Sequence, residues 1–189
     1  MRITALITAL VLLVVAPANA IFVGFDTGAN NTIAGANPLI SSNADWNAGN
    51  CNVSADVGLG SLAAGDVDVF SVVLPAGCVL TAITTPLSPF GNAPDTLLRV
   101  TKAAGVTLVA NDDAGSDGNS AGFVRGSAVR YLADESVTYY IWVSGFPDFG
   151  WTGSHVESGN YALTVSVVPE PATLALLAGG ALCLIRRRR

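Results

Sequence analysis

Cationic and catalytic side chains are scarce in this chain. Among 189 residues there are one histidine, three cysteines and nine lysines and arginines, and only 12 % of positions are charged. Five of the nine basic residues are Arg2 and the terminal run Arg186, Arg187, Arg188 and Arg189. The body keeps Arg99, Lys102, Arg125 and Arg130 against all but one of the chain's fourteen acids. Phosphate binding needs basic surface, so no nucleic-acid partner is expected. The lone imidazole, His155, follows Gly153-Ser154, which is no nucleophile elbow, and a serine triad has no other base to draw on. P-loop, dinucleotide and zinc spacings are missing. No segment of the body holds a sustained 3.6-residue apolar period, so little helix is expected.

The few cysteines are informative. Cys51 and Cys78 are the only two in the body, and Cys183 sits in an apolar tail. In an oxidising compartment Cys51 and Cys78 allow one intramolecular pairing. A pair of buried free thiols is the alternative.

Both termini carry apolar runs. At the start, Arg2 precedes the apolar stretch Ile3 to Val15, and Pro17-Ala18-Asn19-Ala20 ends in a small-x-small pattern. This reads as a signal peptide cut by signal peptidase after Ala20. At the end, Pro169-Glu170-Pro171 runs into the apolar stretch Ala172 to Ile185 and then the four arginines. The prolines set the tail apart from the chain before it. The stretch makes roughly 21 Å of helix, short of the roughly 30 Å hydrocarbon core, though thinning and snorkelling arginines allow insertion. It is expected to be a short transmembrane helix with its arginines on the cytoplasmic side.

This ordered tail resembles the PEP-CTERM sorting signal, and Pro169, Glu170 and Pro171 match its tripeptide. The resemblance implies recognition by an exosortase and removal of the tail. It also implies export through the inner membrane to the envelope, surface or extracellular matrix of a Gram-negative bacterium. Before cleavage the tail would hold the protein in the membrane.

Between the termini the chain reads as strands and turns, all-β and of a size for one core. Val67 to Leu74 alternates, with Asp68, Phe70, Val72 and Leu74 on one face, and ends at Pro75-Ala76-Gly77. Further strands are expected over Cys78 to Thr85, Thr96 to Lys102, Val106 to Asn111, Gly126 to Leu132, Val137 to Ser144 and Gly159 to Val168. Ile21 to Phe25 reads as an edge strand, and Asn30 to Gly49 as a long loop. The pattern argues for an antiparallel β-sandwich. Four segments follow: residues 1–20, signal peptide; 21–65, a lead-in of edge strand and loops; 66–168, the sandwich; 169–189, the sorting signal.

A second likeness lies in the body. Gly65-Asp66-Val67-Asp68-Val69-Phe70-Ser71-Val72, Asp95-Thr96-Leu97-Leu98-Arg99-Val100, Ala110-Asn111-Asp112-Asp113, Tyr139-Tyr140-Ile141-Trp142-Val143 and Gly159-Asn160-Tyr161-Ala162-Leu163-Thr164-Val165 occur in order. The series is similar to the bacterial pre-peptidase C-terminal domain, which implies a small jelly-roll-like sandwich. No peptidase accompanies it in this sequence, so a role as a protease appendage does not carry over directly.

Two clusters are candidate sites. Asn111, Asp112, Asp113 and Asp117 form the densest set of oxygen ligands, with glycines that let the loop wrap a hard cation. Asp66, Asp68 and Asp95 would add ligands if the fold brought them near. Two readings stand: structural calcium, and a solvated turn whose side chains cap its own backbone. No other cofactor is expected. The second cluster is Trp142, Phe146, Phe149 and Trp151, which would either stack on sugars or a partner protein, or plug one end of the sandwich. The function expected is non-enzymatic: an exported binding or structural protein associated with exopolysaccharide. The alternatives are a secreted polysaccharide hydrolase and an accessory partner of a separately encoded protease.

Overall fold

The computed structural model describes residues 21–25, 30–39, 51, 54–87, 93–113 and 125–169. Residues 1–20, Asp117, Glu170, Pro171 and Arg186 to Arg189 lie outside that set, so the signal peptide and tail helix are not described. No helix among the described residues is long and apolar enough to cross a membrane.

Among the described residues, ten strands form two five-stranded sheets. They are β1 (Ile21–Phe25), β2 (Asn37–Pro38), β3 (Ser54–Leu62), β4 (Asp68–Leu74), β5 (Cys78–Leu87), β6 (Thr96–Thr101), β7 (Thr107–Asp112), β8 (Ala128–Leu132), β9 (Val137–Gly145) and β10 (Gly159–Pro169). The first sheet has the order β1-β3-β10-β5-β8 and the second β2-β4-β9-β6-β7. The edge pairs β1–β3 and β2–β4 are parallel, and every other ladder is antiparallel. A single 3-10 turn, Ile33–Gly35, is the one helical element among the described residues.

Period-two alternation builds the core. Tyr161, Leu163, Val165 and Val167 of β10 face Phe70, Val72 and Leu74 of β4, Leu98 and Val100 of β6, and Tyr139, Ile141 and Val143 of β9. Each such burial stabilises by about 1.5–3 kcal/mol before entropy is counted. Asp68 also points inward, where Tyr161 Oη donates to its Oδ2 at 2.5 Å. A buried carboxylate is tolerated only with such donors.

The strand β3 was not expected from the sequence, because Gly58 and Gly60 weaken its pattern. Yet β3 pairs with β10 from Ser54 to Leu62, so the segment read as lead-in supplies two strands of the first sheet. Gly60 lies under the Tyr161 ring, and a Cβ there would come within 2.2 Å of Tyr161 Cζ. Strand β5 also runs through Pro86, where an end was expected. Thr84 N–H points to the β8 side, donating to the Ser127 carbonyl. Pro86 is two residues on, past the last β5–β8 pair at Ile83 and Ala128. Its missing N–H therefore costs no ladder bond.

The registers define two ends. At one end Cys78 opens β5, pairs with Pro169 of β10, and is disulfide-bonded to Cys51 with a Cα–Cα distance of 5.4 Å. The Tyr139 hydroxyl bonds Asp134 and Glu135 there, and Lys102 pairs with both acids. At the opposite end, β6 begins, β7 and β9 finish, and residues 146–158 lead into β10.

Candidate functional site

The second end gathers acids and aromatic rings. The β6–β7 pairing sets Leu97 opposite Asp112, which brings Asp95, just before β6, beside Asp112 and Asp113. One carboxylate oxygen from each lies within 4.8 Å of the others. Asp95 N–H donates to Glu157 Oε2 at 2.9 Å, so a fourth acid stands close. Burial, then the charges of Asp112, Asp113 and Glu157, push Asp95 up to about 6, and Arg125 offsets only part of this. Asp112 is pushed up as well, by burial first and then by Asp113. Asp95 Oδ1 and Asp112 Oδ1 are enclosed and have no hydrogen-bond partner.

The expected ligand set is thus partly assembled. Asp112 and Asp113 converge and Asp95 joins them. The Asn111 carboxamide is engaged elsewhere: its Nδ2 donates to the Ala128 carbonyl at 2.9 Å and its Oδ1 accepts from Asp112 N–H at 2.7 Å. Asp66 and Asp68 do not join. Asp66 Oδ1 accepts from Val67 N–H, and Asp68 is inside the sandwich. Two enclosed, unpartnered carboxylate oxygens fit a hard cation, which takes oxygen ligands from flexible acidic turns.

The aromatic loop lies over the outer face of the second sheet. On that face Trp142 of β9 pairs with Arg99 of β6 and Val69 of β4. The Arg99 guanidinium is held between two rings, 4.1 Å from the Trp142 centroid and 4.6 Å from that of Trp151. Burial lowers Arg99 to about 10, with Asp148 working in the opposite direction. Trp142 is 9 % exposed and its Nε1 donates to Thr101 Oγ1 at 3.0 Å.

Asp148 organises the loop. It is 1 % exposed and accepts from Ser144 Oγ at 2.7 Å, Gly153 N–H at 2.8 Å and Thr152 N–H at 3.1 Å. Burial opposes its charge, but these donors together with Ser154 N–H outweigh it and hold the carboxyl below the usual range. Trp151 sits at φ 58°, a left-handed conformation that costs a bulky residue about 1–3 kcal/mol. Phe149 is 66 % exposed and meets Phe146 edge-on at 5.7 Å. The aromatic set therefore divides: Trp142 is covered, while Phe146 and Phe149 face solvent. Between the loop and β7 runs a cleft of about 460 Å³, lined by Leu97, Ala110, Asn111, Asp112, Phe149 and Trp151 among others.

His155 is packed away from solvent. It is 7 % exposed, and its Nε2 meets the Asp66 carbonyl at 2.6 Å. The ring packs on Gly145, where a Cβ would fall 2.4 Å from His155 Nδ1.

Residues 167–189 match the PEP-CTERM protein-sorting motif. The tail is therefore a sorting signal of the exosortase system, which marks the protein for export to the cell envelope or surface. No curated protein sequence matches the chain. Among solved structures, the chain is similar to Aeromonas hydrophila PliG, a periplasmic lysozyme inhibitor of g-type lysozyme, at 16 % identity and a TM-score of 0.44, covering 70 % of this chain and 95 % of that one. It is also similar to the pre-peptidase C-terminal domain of collagenase from Bacillus anthracis, at 14 % identity and a TM-score of 0.37, covering 59 % and 86 %.

Proposed function

We propose that this is a non-enzymatic binding or structural protein of a Gram-negative envelope or matrix, delivered by signal peptidase and exosortase and associated with exopolysaccharide. The observation that carries this reading is the sorting motif at residues 167–189. The burial of the only imidazole, His155, supports a non-catalytic role. The test replaces Pro169, Glu170 and Pro171 with alanine in a cell that has a working exosortase. The parent protein is expected at the surface, trimmed, and the variant in the inner membrane with its tail uncut. Equal trimming of both proteins would contradict the reading.

A structural calcium ion belongs to the same proposal. Asp95, Asp112 and Asp113 would hold it, and the support is the pair of enclosed, unpartnered oxygens on Asp95 and Asp112. Millimolar calcium is expected to raise the melting temperature of the exported protein and EDTA to lower it, with Asp112→Ala/Asp113→Ala abolishing the response. A melting curve indifferent to both would leave a plain acidic turn.

A further inference from the structure

We propose that the cleft between β7 and the aromatic loop binds a neutral glycan, with Phe149 and Trp151 as stacking platforms and Asn111 as a hydrogen-bond donor. The inference deepens the binding role proposed above and rests on it.

Three features of the cleft carry it. The first is its mixed chemistry. A sugar ring presents an apolar C–H face and a rim of hydroxyls, so it needs an aromatic surface beside polar groups. Phe149 and Trp151 supply the first from the loop; Asn111 and Asp112 supply the second from β7. One hydrogen of Asn111 Nδ2 is taken by the Ala128 carbonyl, which leaves the other for a sugar oxygen. The volume of about 460 Å³ falls among small-ligand sites, which span about 300–1,000 Å³.

The second feature is preorganisation. Asp148 fixes the loop through Ser144, Thr152 and Gly153. Arg99 braces Trp151 from beneath, and Trp151 is held in a left-handed conformation. Rings fixed in this way lose little freedom on binding. Phe149 touches Phe146 edge-on and still keeps most of its ring in solvent.

The third feature is charge. Asp95 and Asp113 stand beside Asp112, Glu157 stands beside Asp95, and Arg125 is the nearby counter-charge. With the acidic cluster free of cation an anionic polymer is repelled there, so a neutral glycan is favoured over a polyuronate. The cleft also lies toward the end opposite Pro169, where β10 leads into the sorting tail. A polymer at the cleft and the sorting machinery at the tail would not compete for the same end.

The test is affinity electrophoresis, in the presence of EDTA, of the exported protein through gels containing a soluble β-glucan, an α-mannan, a galactan or a polygalacturonate. Retardation is expected with at least one neutral polymer and not with the polygalacturonate. Phe149→Ala, at an exposed position, should weaken it about tenfold, and Trp151→Ala at least as much. Val156→Ala, 82 % exposed and outside the cleft lining, should leave it unchanged. No retardation by any neutral polymer, retardation by the polygalacturonate alone, or full retardation of Phe149→Ala would overturn the inference. So would a cleft that captures a polypeptide and no glycan. Export and trimming of the same proteins are read in parallel. If these proceed normally while glycan binding is missing, the cleft assignment fails and the sorting reading stands.

Discussion

The two ends of the sandwich are built on opposite terms. At the Cys78 end, β5 and β10 are paired to their last residues, a disulfide ties Cys51 in, and Lys102 neutralises Asp134 and Glu135. At the Asp95 end, carboxylates crowd one another, two of their oxygens lack partners, and a phenylalanine stands in solvent. The first arrangement stabilises the fold where the sorting tail departs. The second keeps unsatisfied groups near a cleft, a cost that folding alone does not require. The difference separates the part that holds the chain together from the part proposed to meet a ligand.

The largest effect expected at the stapled end comes from the disulfide. It closes a loop with a sequence separation of 27, which in the chain-entropy model stabilises by about 3.5 kcal/mol. Urea unfolding of oxidised and reduced protein should show that loss, less whatever residual structure the unfolded chain keeps. Equal midpoints would remove the staple from the account.

Next comes a pair of substitutions in β3. Gly60→Ala drives a methyl into the Tyr161 ring and should cost about 1–3 kcal/mol or more. Gly58→Ala meets only Leu39 Cδ2 at 4.0 Å and should cost far less. If the two variants melt together, the packing of Tyr161 over Gly60 is not what set that glycine.

A comparable loss is expected at the loop. Asp148→Asn removes the charge that Ser144, Thr152 and Gly153 surround, at about 1.5–3 kcal/mol for charged hydrogen bonds. Because the folded carboxyl titrates below its ordinary value, this stability is present above the unfolded pKa and fades as pH falls through the folded one. The parent should therefore lose its advantage over the variant in acid. An unchanged gap between them down to low pH would argue against a charged hub.

The smallest effect concerns Asp95. Its carboxyl is raised to about 6, so between about pH 4 and 6 the folded state binds more protons than the unfolded one. Without added cation, its contribution makes the melting temperature fall as pH rises through that window. Asp95→Asn should flatten the fall, and calcium should do the same by favouring the ionised cluster. A slope that survives Asp95→Asn would place its origin in another group.

Much of this fold is legible in the sequence, and the exceptions have a common cause. Strands β4 to β10 announce themselves through alternating Val, Ile, Thr and Tyr, and Asp68 already fell on the face with Phe70 and Leu74. What escaped was set by distant partners. Gly58 and Gly60 read as breaks until Tyr161 is seen over Gly60. Pro86 reads as a stop until β8 is seen to finish before it. The acidic site was half legible: Asp112 and Asp113 are neighbours, but the approach of Asp95 needs the β6–β7 register. Arg99 gave no sign of its place between Trp142 and Trp151, since only the pairing of β6 with β9 brings the first of those rings to it. The organising role of Asp148 was hidden too, although its donors lie within six residues.

The most direct test of the account is the intact mass of the protein recovered from the cell surface. Pro169 is the last residue of β10 and pairs with Cys78 beside the disulfide. A cut inside the strand would unzip the stapled end. The account predicts a mature chain beginning at Ile21, retaining β10, and lacking the apolar stretch and Arg186 to Arg189. A surface protein that keeps its four arginines, or one cut within Gly159–Val168, would contradict it.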